Sequence, residues 1–372
     1  MGSSLRYGVI GLQGAGAGHL RAARALEGAG LLTVAAVCDI RPDLLREAVS
    51  GMSVATYTDY QEMLAHGHLD VVSICTPHFL HAPMTLAALD AGVHVLCEKP
   101  IAVSVSEADQ MVHRARERDR LLGIGHQGRT SARAVRIKGL LDEAGPLVRG
   151  VWLAGGIRTQ AYFDSAHWRG TWAMEGGGTL INQKVHDLDR LVWYLGMPRQ
   201  VFALTANPYH ARISPGIETV ASAVLGWESG AQLVFQVSIA DGWVSEYQEF
   251  HCEAAAVVCS REVARIGRFP ARIHEHIATA RERMQPLEVA WEDVAVAGGG
   301  GSRKAMLEDF HLAVRTGRPP LCSGEQGRDA LEVVNAIMLS GYTRQPVSLP
   351  LDRGAYDAFL AEMRAGEGGG CR

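Results

Sequence analysis

Three polar side chains in this sequence have types and spacings that suit proton transfer at a hydroxyl group. Lys99 follows the apolar run 93–97, a predicted strand. A lysine at such a strand end can orient a bound hydroxyl and stabilise charge that develops on its oxygen. Asn182 and His186 lie four residues apart in a predicted helix from Thr179 to Tyr194, hence on one face. A histidine, whose ordinary pKa is about 6.5, is a suitable base near neutral pH.

A glycine-rich turn follows the first apolar run. It reads Gly11-Leu12-Gln13-Gly14-Ala15-Gly16. Gly11 and Gly16 match the first and third glycines of G-x-G-x-x-G, whereas Gln13 stands where the second glycine normally lets the backbone approach a pyrophosphate. Gly14 and Gly18 could supply that room instead. A strand, a tight turn and a helix N-terminus offer N–H groups and a positive dipole to phosphate, although such a turn can also serve tight packing alone.

An acidic residue follows the second apolar strand, 32–38. Asp39 lies about 20 residues past the glycines, where a carboxylate accepts hydrogen bonds from the ribose hydroxyls of a dinucleotide. Such a carboxylate would repel a 2′-phosphate, which favours NAD over NADP, although Arg41 could soften the preference. Ile40, between them, is expected at the same cofactor edge. The alternative for Asp39 is a helix N-cap or a turn residue.

The elements that must position these residues change in character near residue 130. Before it, short apolar strands alternate with helices, which predicts βαβ crossovers and a doubly wound parallel sheet, a Rossmann domain. The predicted strands are 5–10, 32–38, 69–75, 93–97 and 121–125, and the predicted helices are 19–28, 42–49, 83–91 and 106–118.

After residue 130, a helix at 134–143 and long gaps between strands predict an α+β domain with a large, mostly antiparallel open sheet. The predicted strands are 147–154, 200–206, 219–227, 231–239 and 247–259. A polyglycine stretch, 298–301, predicts a loop before a helix at 303–316. We therefore predict domains at 1–128 and 129–365, with a disordered tail at 366–372.

Composition narrows the class of protein. The chain has 372 residues and a net charge of −4, which gives no electrostatic reason to expect nucleic acid or an anionic membrane as a partner. No apolar run approaches the 18 residues of a membrane span, and the N-terminus has no signal-peptide core. Seven cysteines without a C-x-x-C pair favour a reducing, cytoplasmic setting. We expect no bound metal.

Two further strand ends carry a resemblance to a known family. The run Thr76-Pro77-His78-Phe79-Leu80-His81 and the run Cys97-Glu98-Lys99-Pro100 resemble the Gfo/Idh/MocA oxidoreductases. The resemblance implies that Lys99 lies in the active site and that the peptide bond before Pro100 is often cis. It also implies that Thr76, Pro77, His81 and Glu98 border the cofactor, with His81 as a structural residue of its turn.

The segment 176–189 also resembles this family, in its pattern of three glycines, seven residues, His186, two residues and Asp189. The resemblance implies that His186 and Asn182 meet Lys99 and the nicotinamide ring. Many relatives have Asp at position 182, whereas an asparagine can only hydrogen-bond neutrally. The Asn-Gln-x-x-His version resembles a branch of the family.

Two more segments resemble parts of the family that line the site. Gln127 and Arg129 lie where relatives often show a Gln-Asn-Arg run, which implies cofactor contact for Gln127 and substrate contact for Arg129. The loop 162–172 resembles the substrate-side loop. In it, the face of Trp168 and the fork of Arg169 suit a polyhydroxylated ring, although a packed loop is an equal alternative.

The resemblance implies reversible hydride transfer between the nicotinamide of NAD (NADP is possible) and a hydroxyl or keto carbon of a sugar, sugar derivative or cyclitol. His186 would take the hydroxyl proton and Lys99 would hydrogen-bond the oxygen, or the two would exchange roles, while Asn182 orients substrate or His186. A homodimer or homotetramer is implied. Two alternatives are a redox-assisted glycoside-cleaving enzyme that retains NAD and a non-catalytic, dinucleotide-sensing regulator.

Overall fold

The computed structural model describes residues 4–51, 53–260, 263–296 and 300–367. Its contacts divide the chain into two compact units. The first unit contains the described residues up to Thr130 together with 173–176 and 301–331, and the second contains 131–172, the described part of 177–300, and the residues from Glu332 onwards.

The first unit is built on a six-stranded parallel sheet of order β3-β2-β1-β4-β5-β6. Its strands are β1 (Leu5–Ile10), β2 (Leu32–Cys38), β3 (Ala55–Tyr57), β4 (Val71–Ile74), β5 (His94–Cys97) and β6 (Leu122–Ile124). The order reverses between β1 and β4, and in open parallel sheets ligands bind at such a switch point, beyond the carboxyl ends of the strands. The predicted doubly wound sheet is confirmed, while β3 was not among the predicted strands.

Helices cover the first sheet because its strands are apolar on both faces. They are α1 (Ala15–Glu27), α2 (Pro42–Ala48), α3 (Tyr60–His66), α4 (His81–Asp90) and α5 (Val105–Glu117). Val9, Val37, Val72 and Val95 are fully buried, as expected of strands with a helix layer on each side. The helix α5 begins where Ser104 accepts a hydrogen bond from the backbone N–H of Glu107 at 3.3 Å, a regular N-cap.

The second unit is built on a nine-stranded sheet of order β14-β13-β12-β11-β7-β10-β9-β8-β15. Its strands are β7 (Leu147–Ala154), β8 (Gln200–Ala206), β9 (Val220–Gly226), β10 (Gln232–Ser238), β11 (Glu246–Cys252), β12 (Ala255–Ser260), β13 (Ala264–Arg268), β14 (Ala290–Val294) and β15 (Val347–Ser348). Among the described strands of this second sheet, only β10 and β7 pair in parallel, so the predicted, mostly antiparallel sheet is confirmed.

The predicted strand 247–259 is wrong as a single element. It forms the hairpin β11–β12, because the backbone N–H groups of Glu253 and Ala254 leave the ladder and donate to the carbonyls of Pro146 and Ala144. The strands β13 and β14 were not predicted, since both carry charged residues and alternate only weakly.

The helices of the second unit include α6 (Ala132–Ala144), α7 (Gln160–Asp164), α8 (Thr179–Asn182), α9 (Val185–Leu195) and α10 (Ile273–Thr279). Of these, α6 packs on β11, β12 and β13, whereas the side chains of α10 are not buried. Trp152, Phe235 and Phe250 are fully buried in the core of this unit, and the Trp152 ring lies 6.5 Å from that of Phe235 and 6.1 Å from that of Phe250. The opposite sheet face leaves Phe202, Leu204 and other apolar side chains exposed.

The predicted single helix from Thr179 to Tyr194 is wrong. The chain forms α8 and α9 instead, because the backbone N–H groups of Gln183 and Lys184 both donate to the carbonyl of Thr179, at 3.0 and 2.8 Å. The second bond spans five residues and inserts one extra residue at the junction. Glu218 holds the start of α8 by accepting the N–H groups of Gly178 and Leu180. Asn182 and His186 therefore do not share one continuous helix face.

The chain then returns to the first unit through α11 (Arg303–Thr316), which Ser302 caps. Met306, Leu307 and Phe310 of α11 join the apolar cluster formed by α1 and the first sheet. The predicted second domain, 129–365, therefore needs correction. Residues 301–331 lie within it in sequence but belong to the first unit by their packing.

Two last helices complete the chain, α12 (Gly324–Thr343) and α13 (Arg353–Glu367). The helix α13 ends at Glu367, so the tail predicted from residue 366 begins at least two residues too early, and 368–372 lie outside the described residues. Residues 298 and 299 of the predicted polyglycine stretch also lie outside them.

Candidate active site

Two glycines of the turn after β1 are required by backbone packing. Gly11 has a φ of +84°, and a Cβ there would lie 2.7 Å from the carbonyl oxygen of Cys75. A Cβ on Gly16 would lie 1.8 Å from the carbonyl oxygen of Gly11. These contacts bring α1 tightly against β1 and β4, which is the geometric role of the first and third glycines of the motif.

The same turn fits a dinucleotide pyrophosphate. Gly14 precedes α1 with a φ of +55°, and no described atom lies within 4 Å of the position of a Cβ there. Within the described chain, no side chain caps the start of α1 and no carboxylate lies in its first turn. Gln13 is exposed, so it does not close the turn, and a cleft of about 700 Å³ opens beside it. The Gly16 N–H donates to the carbonyl of Gln13 at 3.0 Å, so the turn offers an anion the positive dipole of α1 and the other N–H groups of its first turn.

Asp39 lies at the carboxyl end of β2 and shapes the adjoining turns. Its Oδ2 accepts the N–H of Leu12 at 2.8 Å and its Oδ1 accepts the N–H of Arg41 at 3.0 Å. An ionised carboxylate has further acceptor capacity, so these bonds are compatible with a ribose contact. Ile40 is 84% exposed. Arg41 pairs with Asp43 at 2.6 Å, which occupies the guanidinium that could have favoured a 2′-phosphate.

The turns after β4 and β5 are joined by His81. Its Nδ1 lies 2.7 Å from the carbonyl of Pro100 and its Nε2 lies 2.9 Å from the carbonyl of Thr76. Burial lowers the pKa of His81, although the two carbonyl acceptors favour the protonated ring. Because the side chain is fully buried, the expectation that His81 contacts a cofactor needs correction: it braces the turns. Thr76 and Pro77 stay partly exposed.

Glu98 is the centre of a buried polar network beneath Lys99. His19 of α1 bridges Glu98 and Ser73, at 3.0 Å to each, and Tyr7 donates to Ser73 at 2.5 Å. Burial alone would raise the pKa of Glu98, but the hydrogen bond from His19 and the charges of His19, Lys99 and Arg303 outweigh it and hold the pKa below its usual range.

Lys99 itself is partly exposed at the end of β5. Its backbone N–H donates to Oε2 of Glu98 at 3.2 Å, and the peptide bond to Pro100 is cis, as the resemblance implied. Glu98 is only 5% exposed, so it acts on Lys99 and the local charge rather than as an open surface for a cofactor.

Gln127 and Arg129 have different environments. Gln127 is partly exposed, and its Oε1 is buried without a hydrogen-bond partner in the described residues. Arg129 is 2% exposed and donates to the carbonyl of Leu321 at 3.2 Å and to Oε1 of Gln326 at 2.8 Å. The expected substrate contact of Arg129 therefore needs correction, because these bonds hold its guanidinium against Leu321 and the first turn of α12.

In the second unit, the hydroxyl of Tyr162 gathers the predicted substrate-side residues. It accepts hydrogen bonds from Arg169, from Nδ2 of Asn182 at 3.1 Å and from Nε2 of Gln183 at 2.8 Å. The Arg169 guanidinium also stacks on Tyr162 at 4.2 Å and on Trp168 at 4.6 Å from the ring centres. Sequence reasoning selected neither Tyr162 nor Gln183, whose only signal was their position beside selected residues.

His186 is the second residue of α9 and is partly exposed. Two residues before it, Lys184 is 8% exposed, and burial lowers the pKa of its amine. Asp187 lies 4.0 Å from Lys184 and 2.6 Å from Arg190. The junction between α8 and α9 thus carries a buried charge cluster that holds the backbone on either side of His186.

Metal sites and membrane spans are the features that would indicate other classes of protein. Across residues 4–51, 53–260, 263–296 and 300–367, no group of three or more His, Cys, Asp or Glu side chains could hold a metal ion. None of the helices in that part of the chain has the length and apolar character to cross a membrane.

Comparison with known proteins gives two family matches. Residues 5–126 match the model described as "Oxidoreductase family, NAD-binding Rossmann fold", and residues 148–258 match the "GFO/IDH/MocA C-terminal domain".

Individual relatives agree over most of the chain. The 1,5-anhydro-D-fructose reductase of Ensifer adhaerens is 26% identical over 78% of this chain and 83% of its own length. The myo-inositol 2-dehydrogenase of Thermotoga maritima is 25% identical over 93% and 98%. Among solved structures, the WlbA dehydrogenase of Chromobacterium violaceum, in complex with NADH and UDP-GlcNAcA, superposes with a TM-score of 0.80 at 26% identity, covering 95% and 98% of the two chains.

Proposed function

The chain belongs to the Gfo/Idh/MocA family of oxidoreductases, and we propose that it transfers a hydride between NAD and a hydroxyl- or keto-bearing carbon of a sugar, sugar derivative or cyclitol. The observation that carries the proposal is the open turn at Gly14, which exposes the uncapped N-terminus of α1 at the switch point of a parallel sheet. The relatives named above reduce or oxidise a sugar derivative or a cyclitol, which supports this substrate class.

The residues for the cofactor follow from the first unit. The backbone from Gly11 to Gly16, Ala15 included, would hold the pyrophosphate, while Asp39 and Ile40 would hold the adenosine end. Thr76, Pro77 and Gln127 would border the cofactor on the neighbouring strand ends. When bound, the nicotinamide supplies a carbon that accepts or returns a hydride. The carboxylate of Asp39 and the pairing of Arg41 with Asp43 favour NAD over NADP.

The residues for the substrate follow from the second unit. The Trp168 ring offers a flat face to a sugar or cyclitol, and the stacked guanidinium of Arg169 offers donors to its hydroxyls. Asn182 hydrogen-bonds the substrate through an amide whose orientation Tyr162 sets. Partial exposure of Trp168 and Arg169 supports this assignment.

In the reaction assigned to Lys99 and His186, the substrate loses one proton and one hydride on oxidation and regains both on reduction. In oxidation, His186 takes the proton of the substrate hydroxyl, the hydride leaves the same carbon, and a carbonyl bond forms. The amine of Lys99 hydrogen-bonds the reacting oxygen and stabilises its developing charge. The bond from the Lys99 N–H to Glu98 holds the backbone of this lysine in place.

The proposal is tested by NADH binding and turnover. We expect the wild-type protein to bind NADH and to produce NADH from NAD with at least one sugar or cyclitol of a panel. His186→Ala should bind NADH as tightly as the wild type while turnover falls by about 10²-fold or more, since general base catalysis contributes that much. Unchanged turnover in His186→Ala would remove it as the base.

Other functions give different results in the same assay. Cleavage of a glycoside without net NADH would indicate the redox-assisted lyase or hydrolase, and tight NADH binding without any turnover would indicate a dinucleotide-sensing regulator. Wild-type protein that binds no dinucleotide would contradict all three functions.

We further propose that the protein assembles through the exposed face of its second sheet and acts in the cytoplasm. Phe202, Val224 and Val234 are direct cross-strand neighbours on β8, β9 and β10, and each is more than 40% exposed. Such a row of apolar side chains supports a subunit interface. The six cysteines that the structure describes are free thiols, which supports a reducing compartment.

A further inference from the structure

The entry into α11 is tightly docked on the loop that contains Gln127. Gly301 has a φ of +26°, and a Cβ there would lie 1.8 Å from the carbonyl oxygen of Gln127. The next N–H, that of Ser302, donates to Oγ1 of Thr130 at 2.6 Å, and the Ser302 hydroxyl caps the helix. The last glycine of the polyglycine stretch therefore has a packing role, which is to fix the position of the first helical residue, Arg303.

Arg303 extends across the first turn of α1. A Cβ on Gly18 would lie 3.1 Å from Cδ and 3.4 Å from Nε of Arg303. The guanidinium can come this close because Gly18 has no side chain. Gly18 is the fourth residue of α1, so the arginine lies within one turn of the helix N-terminus to which we assign the pyrophosphate.

The contacts of Arg303 leave donors unused by the protein. Its Nε lies 3.7 Å from Oε1 of Glu98, too far for a hydrogen bond, and is buried without a hydrogen-bond partner in the described residues. Glu98 is already bonded to His19 and to the N–H of Lys99. The Arg303 side chain as a whole remains 40% exposed. The ion pair with Glu98 therefore positions the Arg303 guanidinium without using all of its N–H donors.

We propose that Arg303 binds the pyrophosphate of the dinucleotide, an assignment that rests on the proposed function. A planar guanidinium can donate to two phosphate oxygens at once, and such charge-assisted pairs are stronger than neutral hydrogen bonds. Arg303 also offsets the ionised, buried Glu98, whose charge would otherwise repel the phosphates. This residue comes from the end of the chain, nearly 300 positions after the glycine turn.

The test measures the dissociation constants of NADH and of ADP-ribose, a fragment that retains the pyrophosphate. Arg303→Met keeps much of the apolar stem and removes the fork. We expect both dissociation constants to rise by about tenfold or more, the effect of losing one hydrogen bond to a charged group. The dependence of log Kd on log salt should also become shallower, because one ionic contact is gone. Arg303→Lys, which keeps the charge without the fork, should be intermediate.

Lys304→Met is the matched control, since it removes the same charge from the next, exposed residue of α11. We expect its dissociation constants to stay within twofold of the wild type. Arg303→Met values within twofold of the wild type, or an equal loss in Lys304→Met, would overturn the proposal. If Arg303→Met does not fold, Arg303→Lys decides: NADH affinity and salt dependence both equal to the wild type would overturn it.

A double variant separates binding from charge compensation. If Arg303 only neutralises Glu98, adding Glu98→Gln to Arg303→Met should restore NADH affinity, and this result would overturn the proposal. If Arg303 contacts the pyrophosphate, the double variant should remain weak. Wild-type protein that binds neither ligand would instead refute the proposed function, which is a distinct outcome.

Discussion

At the scale of single residues, Tyr162 has the most informative position in the second unit. One phenolic oxygen accepts hydrogen bonds from Arg169, Asn182 and Gln183. The sequence pointed to Asn182 and Arg169, but not to the residue that connects them. The hydroxyl orients both the amide and the guanidinium, so Tyr162 is a positioning residue for the proposed substrate contacts.

Tyr162→Phe should weaken substrate use without weakening cofactor binding. The change removes one acceptor and leaves partly buried donors unsatisfied, which costs about 1–3 kcal/mol. We expect kcat/KM to fall by about tenfold to a hundredfold while the Kd of NADH is unchanged. Tyr209→Phe is the control, because Tyr209 is 80% exposed. Equal losses in both variants, or wild-type kcat/KM in Tyr162→Phe, would contradict this role.

Glu98 makes stability depend on pH in a defined direction. Its pKa in the folded protein lies below the ordinary value of 4.5. Glu98 therefore stabilises the folded state fully above that value, and this contribution falls as the pH drops below it. We expect the free energy of unfolding of Glu98→Gln to decline less steeply than that of the wild type between pH 5 and pH 3.

Denaturant unfolding across that pH range measures this slope. Glu288→Gln is the control, since Glu288 is exposed and should keep the slope of the wild type. A Glu98→Gln slope as steep as that of the wild type would show that Glu98 is not the carboxyl whose protonation destabilises the fold.

At the scale of elements, the contact between α1 and β1 depends on Gly16. A methyl group there would meet the carbonyl oxygen of Gly11 at 1.8 Å, and backbone cannot yield as a flexible side chain can. Gly16→Ala should therefore displace the start of α1, destabilise the protein by about 1–3 kcal/mol and raise the Kd of NADH by more than tenfold.

Gly139→Ala is the matched control for that prediction. Gly139 lies within α6, and no described atom is within 4 Å of the position of its Cβ. This change should stabilise the protein by about 0.4–1 kcal/mol, because alanine loses less conformational freedom in a helix than glycine does. Thermal unfolding and NADH titration measure both variants; NADH affinity preserved in Gly16→Ala would contradict the packing argument.

At the scale of the whole molecule, the exposed face of the second sheet is the surface through which we propose that copies of this chain assemble. We expect the wild type to be a dimer or tetramer by light scattering. Val234→Asp should shift it toward smaller species, since it places a charge in an apolar row. Ile277→Asp is the control, because Ile277 is 74% exposed on α10, a helix with no buried side chain. A monomeric wild type would contradict the proposed interface.

Much of the fold could be predicted because its signals are local. Strands covered on both faces are nearly continuous apolar runs, as in β2 and β5, and α1 ends at a glycine. The weakly alternating, charged strands β13 and β14 gave no such signal and form by pairing with β12. The junction between α8 and α9 was missed because the hydrogen bond from the Lys184 N–H to the Thr179 carbonyl, which spans five residues, leaves no signal in the pattern of residue types.

The sequence by itself determined the parallel and antiparallel sheets, the glycine turn and the choice of Lys99, Asn182 and His186, since these depend on periodicity and short motifs. Only the tertiary structure decided that His81 and Arg129 are buried braces and that His19, 79 residues from Glu98, is its partner. It also decided that Arg303 joins the first unit. These outcomes depend on long-range packing and burial, which place polar groups beside partners that no local pattern specifies.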